Sequence, residues 1–492
     1  MLLNNILIEH AQRQPAKPAV ITDAGSMTYG ELEQAVDCMA RYLLDRGFQP
    51  GERAAIHWQN SIEFVVLMLG AWRAGLIVVP INPRLKAAEI AYVLEHSGAR
   101  LCFSEPALAP LVNGIEVITT LPALTGSGEP MPDVDPDAPA MIMYTSGTTA
   151  RPKGVVHTQR TLLENARTAI LCAICSGERP LAISQMAHVA ALVCVYLPGL
   201  IQGASAVLLR MFDSGAALDA IERHKCTYTF GLPMFLQLMA EEQAEHPRDV
   251  SSLKEIFAGG DCVPIALQRR IQEQFHVGVQ EGYGMTEVAP ITGNQRGAVR
   301  HGSIGLPLNS AIRLIDSRGC DVEPGEVGEL VVRSEGNCIG YWNDPEATAQ
   351  LFEGGWLHTG DLASRDGEGY LWFQGRLKQI IIRGGSNISP QEVEEALYQH
   401  PAVLEAGVVG LPDPMFAEVP VAFVSLRQGP DVPEDQLIAH AGTLLADYKV
   451  PARIFFMDEL PKGLTGKVDR RRLRDVLLAE AHSLENQPVL RV

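Results

Sequence analysis

Residues 145–154 read Thr145-Ser146-Gly147-Thr148-Thr149-Ala150-Arg151-Pro152-Lys153-Gly154, directly after the apolar Met141-Ile142-Met143-Tyr144. Hydroxyl and glycine residues leave backbone N–H groups free to converge on one ligand, and Lys153 adds a point charge. Together they suit phosphate oxygens. The Gly-Lys-Ser/Thr step of a Walker A loop is missing. The same composition also makes an ordinary polar surface loop, so the reading depends on what else the chain holds.

Gly282-Tyr283-Gly284-Met285-Thr286-Glu287 follows a short apolar segment. Further on come Thr359-Gly360-Asp361, Gly375-Arg376-Leu377-Lys378, Gly384-Gly385-Ser386-Asn387-Ile388-Ser389-Pro390 and Pro461-Lys462-Gly463-Leu464-Thr465-Gly466-Lys467. In order and spacing these clusters resemble the adenylate-forming superfamily of acyl-CoA synthetases, firefly luciferases and peptide-synthetase adenylation domains, over nearly the whole chain. The resemblance implies two half-reactions. A carboxylate first attacks the α-phosphate of ATP, giving an acyl-adenylate and pyrophosphate. A thiol, usually that of coenzyme A, then displaces AMP. Such a site must hold anions together, which calls for cations and N–H donors rather than a strong base.

By the same resemblance Thr145, Ser146, Gly147, Thr148, Thr149 and Lys153 hold the β- and γ-phosphates. Ala150 stands where the family usually has glycine, which bears on loop mobility. Glu287 is the magnesium ligand, with Thr286 beside it on a phosphate oxygen. One carboxylate is enough when phosphates supply other ligands. Tyr283 stacks on adenine and Gly259-Gly260-Asp261 line its edge. Asp361 and Arg376 grip the ribose. Lys467 is the adenylation lysine, bridging the substrate carboxylate and α-phosphate. Lys378 is the hinge on which a C-terminal domain swings, replacing Lys467 with the Gly384-Gly385 segment that lines a pantetheine tunnel. His188 borders the carboxylate and the tunnel mouth. Without the resemblance, a lysine such as Lys467 reads as surface and a histidine in an apolar run as core.

The elements that position these residues alternate. Thr28-Tyr29-Gly30-Glu31 is a capping-box pattern opening an amphipathic run stopped by Gly47. Ala54–His57, Ile77–Pro80 and Leu101–Phe103 read as strands, and a helix opens at Asn60-Ser61-Ile62-Glu63. Such alternation predicts an α/β fold. After the Pro-rich linker 128–139 the α/β pattern resumes to about residue 300. Residues 301–374 read as a small β-rich subdomain. The rest reads as a compact α+β unit, with Ser389-Pro390-Gln391-Glu392 a second helix start, strands at 403–409 and 419–424 and a helix at 434–446. The expected division is an N-terminal domain, 1–377, of α/β subdomains plus the β-rich one, and a small mobile C-terminal domain, 378–492.

The 492 residues carry a formal net charge of −18, which argues against a nucleic-acid partner. Nine scattered cysteines fit a reducing compartment rather than a disulfide framework. Cys172-Ala173-Ile174-Cys175 lacks a second pair for zinc. The N-terminus does not read as a secretory signal. The uncharged run 189–209 is broken by Pro198, Gly199 and Gly203, so a buried helix and strand are expected there rather than a membrane span. A cytoplasmic monomer or homodimer is expected. Val189–Val193, Phe230-Gly231-Leu232 and Gly282–Ala289 should line the acyl pocket and, Glu287 apart, are apolar and small. No cation stands ready for a second carboxylate. The expected substrate is an apolar monocarboxylic acid, a medium-chain fatty acid first, with an aryl-acid–CoA ligase of the benzoate or coumarate kind, or an acyl-AMP ligase with another acceptor, as alternatives. Asp213 reads as a helix N-cap rather than as the partner of an amino-acid amine.

Overall fold

The computed structural model describes residues 2–121, 131–145, 152–171, 178–261, 263–295, 297–377, 379–383, 386–413, 415–427, 432–463 and 467–484, with backbone only for 387 and 478–484. The chain divides into two compact units. The larger comprises Met1–Val263, Leu267–Ile312 and Val331–Thr359; the smaller comprises Pro264–Ala266, Arg313–Leu330 and Gly360–Val492.

Two sheets build the larger unit. The first runs, in spatial order, Leu306–Pro307, Val288–Gly293, Val279–Met285, Glu255–Gly259, Tyr228–Gly231, Pro180–Ala182, Ala206–Leu208, Pro18–Thr22, Gly25–Thr28. The second runs Gly340–Tyr341, Lys153–Thr158, Pro139–Thr145, Ile77–Pro80, Arg53–His57, Leu101–Ser104, Glu116–Ile118. Inner strands such as Ile77–Pro80 and Tyr228–Gly231 are buried throughout, as expected of parallel strands covered on both faces. Parallel pairing of Arg53–His57 with Ile77–Pro80 needs a crossover, supplied by helix Ile62–Arg73. One large core joins Leu32, Val36, Met39 and Leu43 of helix Tyr29–Asp45 to Phe64–Leu69 and to residues of both sheets, including Ile56, Val78, Ala206 and Phe230.

Local signals behave as chemistry dictates. Thr28 and Glu31 form the reciprocal capping box. Ser61 caps Ile62–Arg73 by accepting from the Phe64 N–H, and Asp213 caps Ser214–His224 by accepting from Ala216. Residues 189–201 form successive short helical turns, and Ala206–Leu208 is a buried strand. Among the described residues no helix is long and apolar enough to cross a membrane.

In the smaller unit Ser386–Ile388, Ile381–Arg383, Ala417–Leu426 and Val403–Asp413 form a sheet, with Arg453–Phe456 alongside Ala417–Leu426. Helices Pro390–Tyr398, Glu434–Gly442 and Arg470–Leu484 accompany it. Its apolar residues form two clusters, one around Val393, Leu397, Val408 and Val424, the other around Val421, Phe423, Leu460 and Leu473. A further sheet orders Ala311–Ile315, Val327–Arg333, Trp356–Arg365 and Phe352–Glu353, with Leu371–Arg376 on Trp356–Arg365. These short strands are the β-rich stretch expected between 301 and 374.

One local expectation fails. Helix Pro390–Tyr398 starts where Ser389-Pro390 indicates, but the Ser389 side chain makes no cap hydrogen bond, and among the described residues its buried Oγ has no partner. Glu392 instead pairs with Lys449 at 2.6 Å. A long-range ammonium competes successfully with a backbone N–H for the carboxylate.

Candidate active site

The phosphate-type loop connects two antiparallel strands. Thr145 pairs with Lys153 and Tyr144 with Gly154, so the two described ends of the loop are locked in register. Ser146, Gly147, Thr148, Thr149 and Ala150 lie outside the described residues, as does the Cys172–Cys175 pair. A Cβ on Gly154 would sit 2.7 Å from Ile142 Cγ2 and 3.3 Å from Trp342 Cβ. The strand that delivers Lys153 therefore has no room for a side chain at its second residue.

Thr286 and Glu287 are the two-residue turn of the hairpin joining Val279–Met285 to Val288–Gly293, closed by the Met285–Val288 pair. Long-range contacts tack this turn down from several sides. His157 Nε2 donates to the Thr286 carbonyl at 2.8 Å, and the Cys338 N–H donates to the Glu287 carbonyl at 2.7 Å. The Tyr341 hydroxyl donates to Glu287 Oε1 at 2.6 Å. Glu287 is only 7% exposed, so its charge needs such donors. Tyr341 belongs to Gly340–Tyr341, which pairs with Val155 and Val156 of the Lys153 strand. The Lys153 ammonium lies 4.6 Å from the centroid of the Tyr341 ring. The structure thus brings Lys153, Thr286 and Glu287 into one assembly whose clasp is Tyr341.

Titration follows from these surroundings. Burial pulls His157 down to about 4, opposed by its bond to the Thr286 carbonyl. It is therefore neutral near pH 7, with the proton on Nε2, and Thr161 Oγ1 lies 3.0 Å from Nδ1. Burial, reinforced by the charge of Glu287, raises the Tyr341 hydroxyl well above its ordinary value and keeps it a donor.

The residues expected along the adenine edge lie on or just beyond neighbouring strands. Gly259 pairs with Gly282, one residue from Tyr283. A Cβ on Gly259 would lie 2.7 Å from the Gly282 carbonyl oxygen, and one on Gly282 would lie 2.3 Å from Phe257 Cζ. Gly260 turns the chain at φ +86° toward the half-buried Asp261, a conformation that favours glycine. His188 stands at the N-cap position of the turn 189–191 without a side-chain cap bond, and its Nε2 lies 3.1 Å from Asn82 Nδ2.

In the smaller unit Asp361 and Arg376 are register partners, with Arg376 Nε 3.2 Å from Asp361 Oδ1. Backbone bonds on either side fix Lys467. Lys462 bridges Val468, the Gly463 N–H donates to the Lys467 carbonyl at 2.8 Å, and the Asp469 N–H donates to Pro461 at 2.7 Å. Immediately after it, Arg470 grips both oxygens of the buried Glu394 at 2.8 and 2.7 Å. Lys378, Gly384 and Gly385 lie outside the described residues.

Among the described residues no cluster of three or more His, Cys, Asp or Glu could hold an ion. A single buried carboxylate at Glu287 fits magnesium, which takes one or two carboxylates and completes its shell with phosphates and water. Sequence reasoning missed Tyr341, His157 and Asn82. No local motif marks them, because each meets its partner only through strands distant along the chain.

The family model for AMP-binding enzymes matches residues 7–342, and that for the AMP-binding enzyme C-terminal domain matches 392–467. A feruloyl-CoA synthase of Amycolatopsis is 37% identical over 478 residues, covering 95% of this chain and 97% of that protein. A sulfoacetate–CoA ligase of Cupriavidus necator is 35% identical over 497 residues, covering 95% and 96%. The solved anthranilate CoA ligase AuaEII, in complex with anthranoyl-AMP, superposes with a TM-score of 0.91 at 29% identity, covering 98% of each chain. With a nucleotide-type hairpin, a buried single carboxylate and both family models in order along its length, this chain belongs to the AMP-binding enzyme family.

Proposed function

We propose that the chain is an AMP-forming acid–thiol ligase that activates an aryl monocarboxylic acid and transfers it to coenzyme A. The observation that carries the reading is the end-to-end likeness to an aryl-acid–CoA synthase. The geometry supports it. Phe230 and Phe257 are buried and stack with centroids 5.8 Å apart. Phe257 fills the space beside Gly282, and Phe230 Cε2 lies 3.6 Å from a Cβ built on Gly259. The expected pocket wall beside these glycines is thus flat and aromatic, and suits a planar ring. A medium-chain fatty acid, placed first from sequence alone, fits the same apolar lining. The feruloyl and anthranilate relatives support the aryl acid at least as well, and it is placed first in this reading.

In this reading Thr145, Ser146, Gly147, Thr148, Thr149 and Lys153 hold the β- and γ-phosphates. Gly259, Gly260, Asp261 and Tyr283 hold adenine, and Asp361 with Arg376 holds the ribose, a carboxylate being a good acceptor for its hydroxyls. Glu287, oriented by Tyr341, would hold magnesium beside Thr286, where a bound ion would supply charge neutralisation to the phosphates. Lys467 stabilises the meeting of carboxylate and α-phosphate. A carboxylate oxygen bonds to the α-phosphorus as the bond to pyrophosphate breaks. The thiol sulfur then bonds to the acyl carbon as AMP leaves, the thiol proton passing to solvent. Lys378 is the hinge between a domain 1–377 and a domain 378–492, and Gly384-Gly385 serve the thiol step. The acceptor and the cytoplasmic setting belong to the same proposal, as does a monomeric or homodimeric state.

The test is acid-dependent ATP–pyrophosphate exchange with ferulate, anthranilate, benzoate and aliphatic acids of graded length, repeated with coenzyme A while AMP and thioester are followed. Exchange and thioester with the aryl acids at much higher kcat/KM than with any aliphatic acid is expected. Preference for the aliphatic series refutes the substrate class. Exchange without thioester refutes the acceptor.

A further inference from the structure

We propose that Asn82 is a positioning residue that fixes the tautomer of His188, making the imidazole a hydrogen-bond donor through Nδ1 and withholding it as a base. The argument starts from an atom that has no choice. The backbone N–H of Arg84 can only donate, and it donates to Asn82 Oδ1 at 2.9 Å. The amide oxygen is thereby assigned to that end, so the amide nitrogen must face His188 Nε2, 3.1 Å away. An amide NH₂ has donors and no acceptor. Two donors cannot share that distance, so Nε2 presents its lone pair and the neutral ring carries its proton on Nδ1.

Both partners are held. Asn82 follows Ile81, whose N–H donates to Ile56 at 2.8 Å, and its carbonyl accepts from Leu85 at 3.0 Å. The His188 N–H donates to Gln185 at 3.0 Å. Nearby, the Met186 N–H donates to Asn60 Oδ1 at 2.7 Å. Asn60 is buried and also donates to the Ser184 and Leu209 carbonyls. The tautomer is therefore set by rigid backbone on both sides rather than by solvent.

The consequence rests on the reading that His188 borders the acyl group. An Nδ1–H there donates to the acid's carboxylate and then to the carbonyl oxygen, which gains negative charge as the thiol attacks. The Nε2 lone pair is spent on Asn82, so His188 does not take the thiol proton.

The experiment uses the full chain labelled with ¹⁵N-histidine. His188 is assigned by its loss in His188→Gln, and its tautomer is read from ¹H–¹⁵N ring correlations. The expected wild-type form is protonated on Nδ1. Asn82→Asp, nearly isosteric, replaces the donor with an acceptor and should move the proton to Nε2, whereas Asn82→Ala should leave a mixture. Thioester formation from supplied acyl-adenylate should then fall on the order of a hundredfold in Asn82→Asp, the scale of one donor lost at a developing oxyanion. The KM for ATP should change little. A wild-type ring protonated on Nε2, or an unchanged tautomer in Asn82→Asp, overturns the assignment whatever the kinetics. A switched tautomer with unchanged thioester kinetics overturns the placement of His188 beside the acyl group, and the proposal with it.

Discussion

Replacing Tyr341 by phenylalanine removes one oxygen atom and leaves the ring that faces Lys153. That oxygen donates to Glu287 Oε1 at 2.6 Å, the short distance typical of a hydroxyl on a carboxylate. Glu287 is 7% exposed, so water replaces the lost donor poorly. A hydrogen bond to a charged group contributes about 1.5–3 kcal/mol. At about 1.4 kcal/mol per decade, kcat/KM for adenylation should fall about tenfold to about 150-fold. The half-saturating magnesium concentration should rise in step, because a less restrained carboxylate spends less time oriented toward the ion. Tyr341→Ala should fall further, since it also removes the aromatic face under the Lys153 ammonium. The assay is pyrophosphate exchange across a magnesium series, with a thermal melt to confirm that each variant is folded. A folded Tyr341→Phe within twofold of the parent at every magnesium concentration would refute the reasoning, as would Phe and Ala variants that behave alike.

Lys467→Ala should abolish acyl-adenylate formation while sparing thioester formation from supplied adenylate; equal loss of both half-reactions in single-turnover measurements counts against the assignment. Lys378→Pro should slow the thiol step more than adenylation, because a hinge must absorb backbone rotation that proline forbids; uniform loss of both steps, or of neither, sinks the hinge. Stability should fall on acidification from pH 7 to pH 5 through the buried imidazoles. Burial holds His57 and His157 at about 4 in the folded chain, against about 6.5 when unfolded. The unfolded state therefore binds more protons below 6.5, and between pH 7 and pH 5 each imidazole withdraws about 2 kcal/mol. His224 and His400 shift in the same direction, first through burial. A urea midpoint that stays level or rises from pH 7 to pH 5 contradicts this.

What could be read from sequence was what is local. The Thr28–Glu31 box, the Ser61 and Asp213 caps and the buried strand runs depend on residues within a few positions of one another, and they formed as their chemistry dictates. The clusters that carry the family resemblance are local in the same way, and the family they point to is shown. Glu392 shows the limit, since its carboxylate was taken by Lys449 from a distant segment. Tyr341 lies far from Glu287 along the chain, and Asn82 far from His188. Nothing in Gly-Tyr-Trp or Ile-Asn-Pro announces those meetings. They exist because strand order places residue 341 against residue 155 and packing brings the turn at 82 to the turn at 188.

The grip of Arg470 on buried Glu394 has a mechanical consequence. Glu394 Oε1 also accepts the Val408 N–H at 2.7 Å, so helix Arg470–Leu484, helix Pro390–Tyr398 and strand Val403–Asp413 are cross-braced at one point, three residues from Lys467. A side chain mounted so near a brace has a short tether. The brace ties two helices and a strand to one carboxylate, so those three elements should give way together rather than one by one.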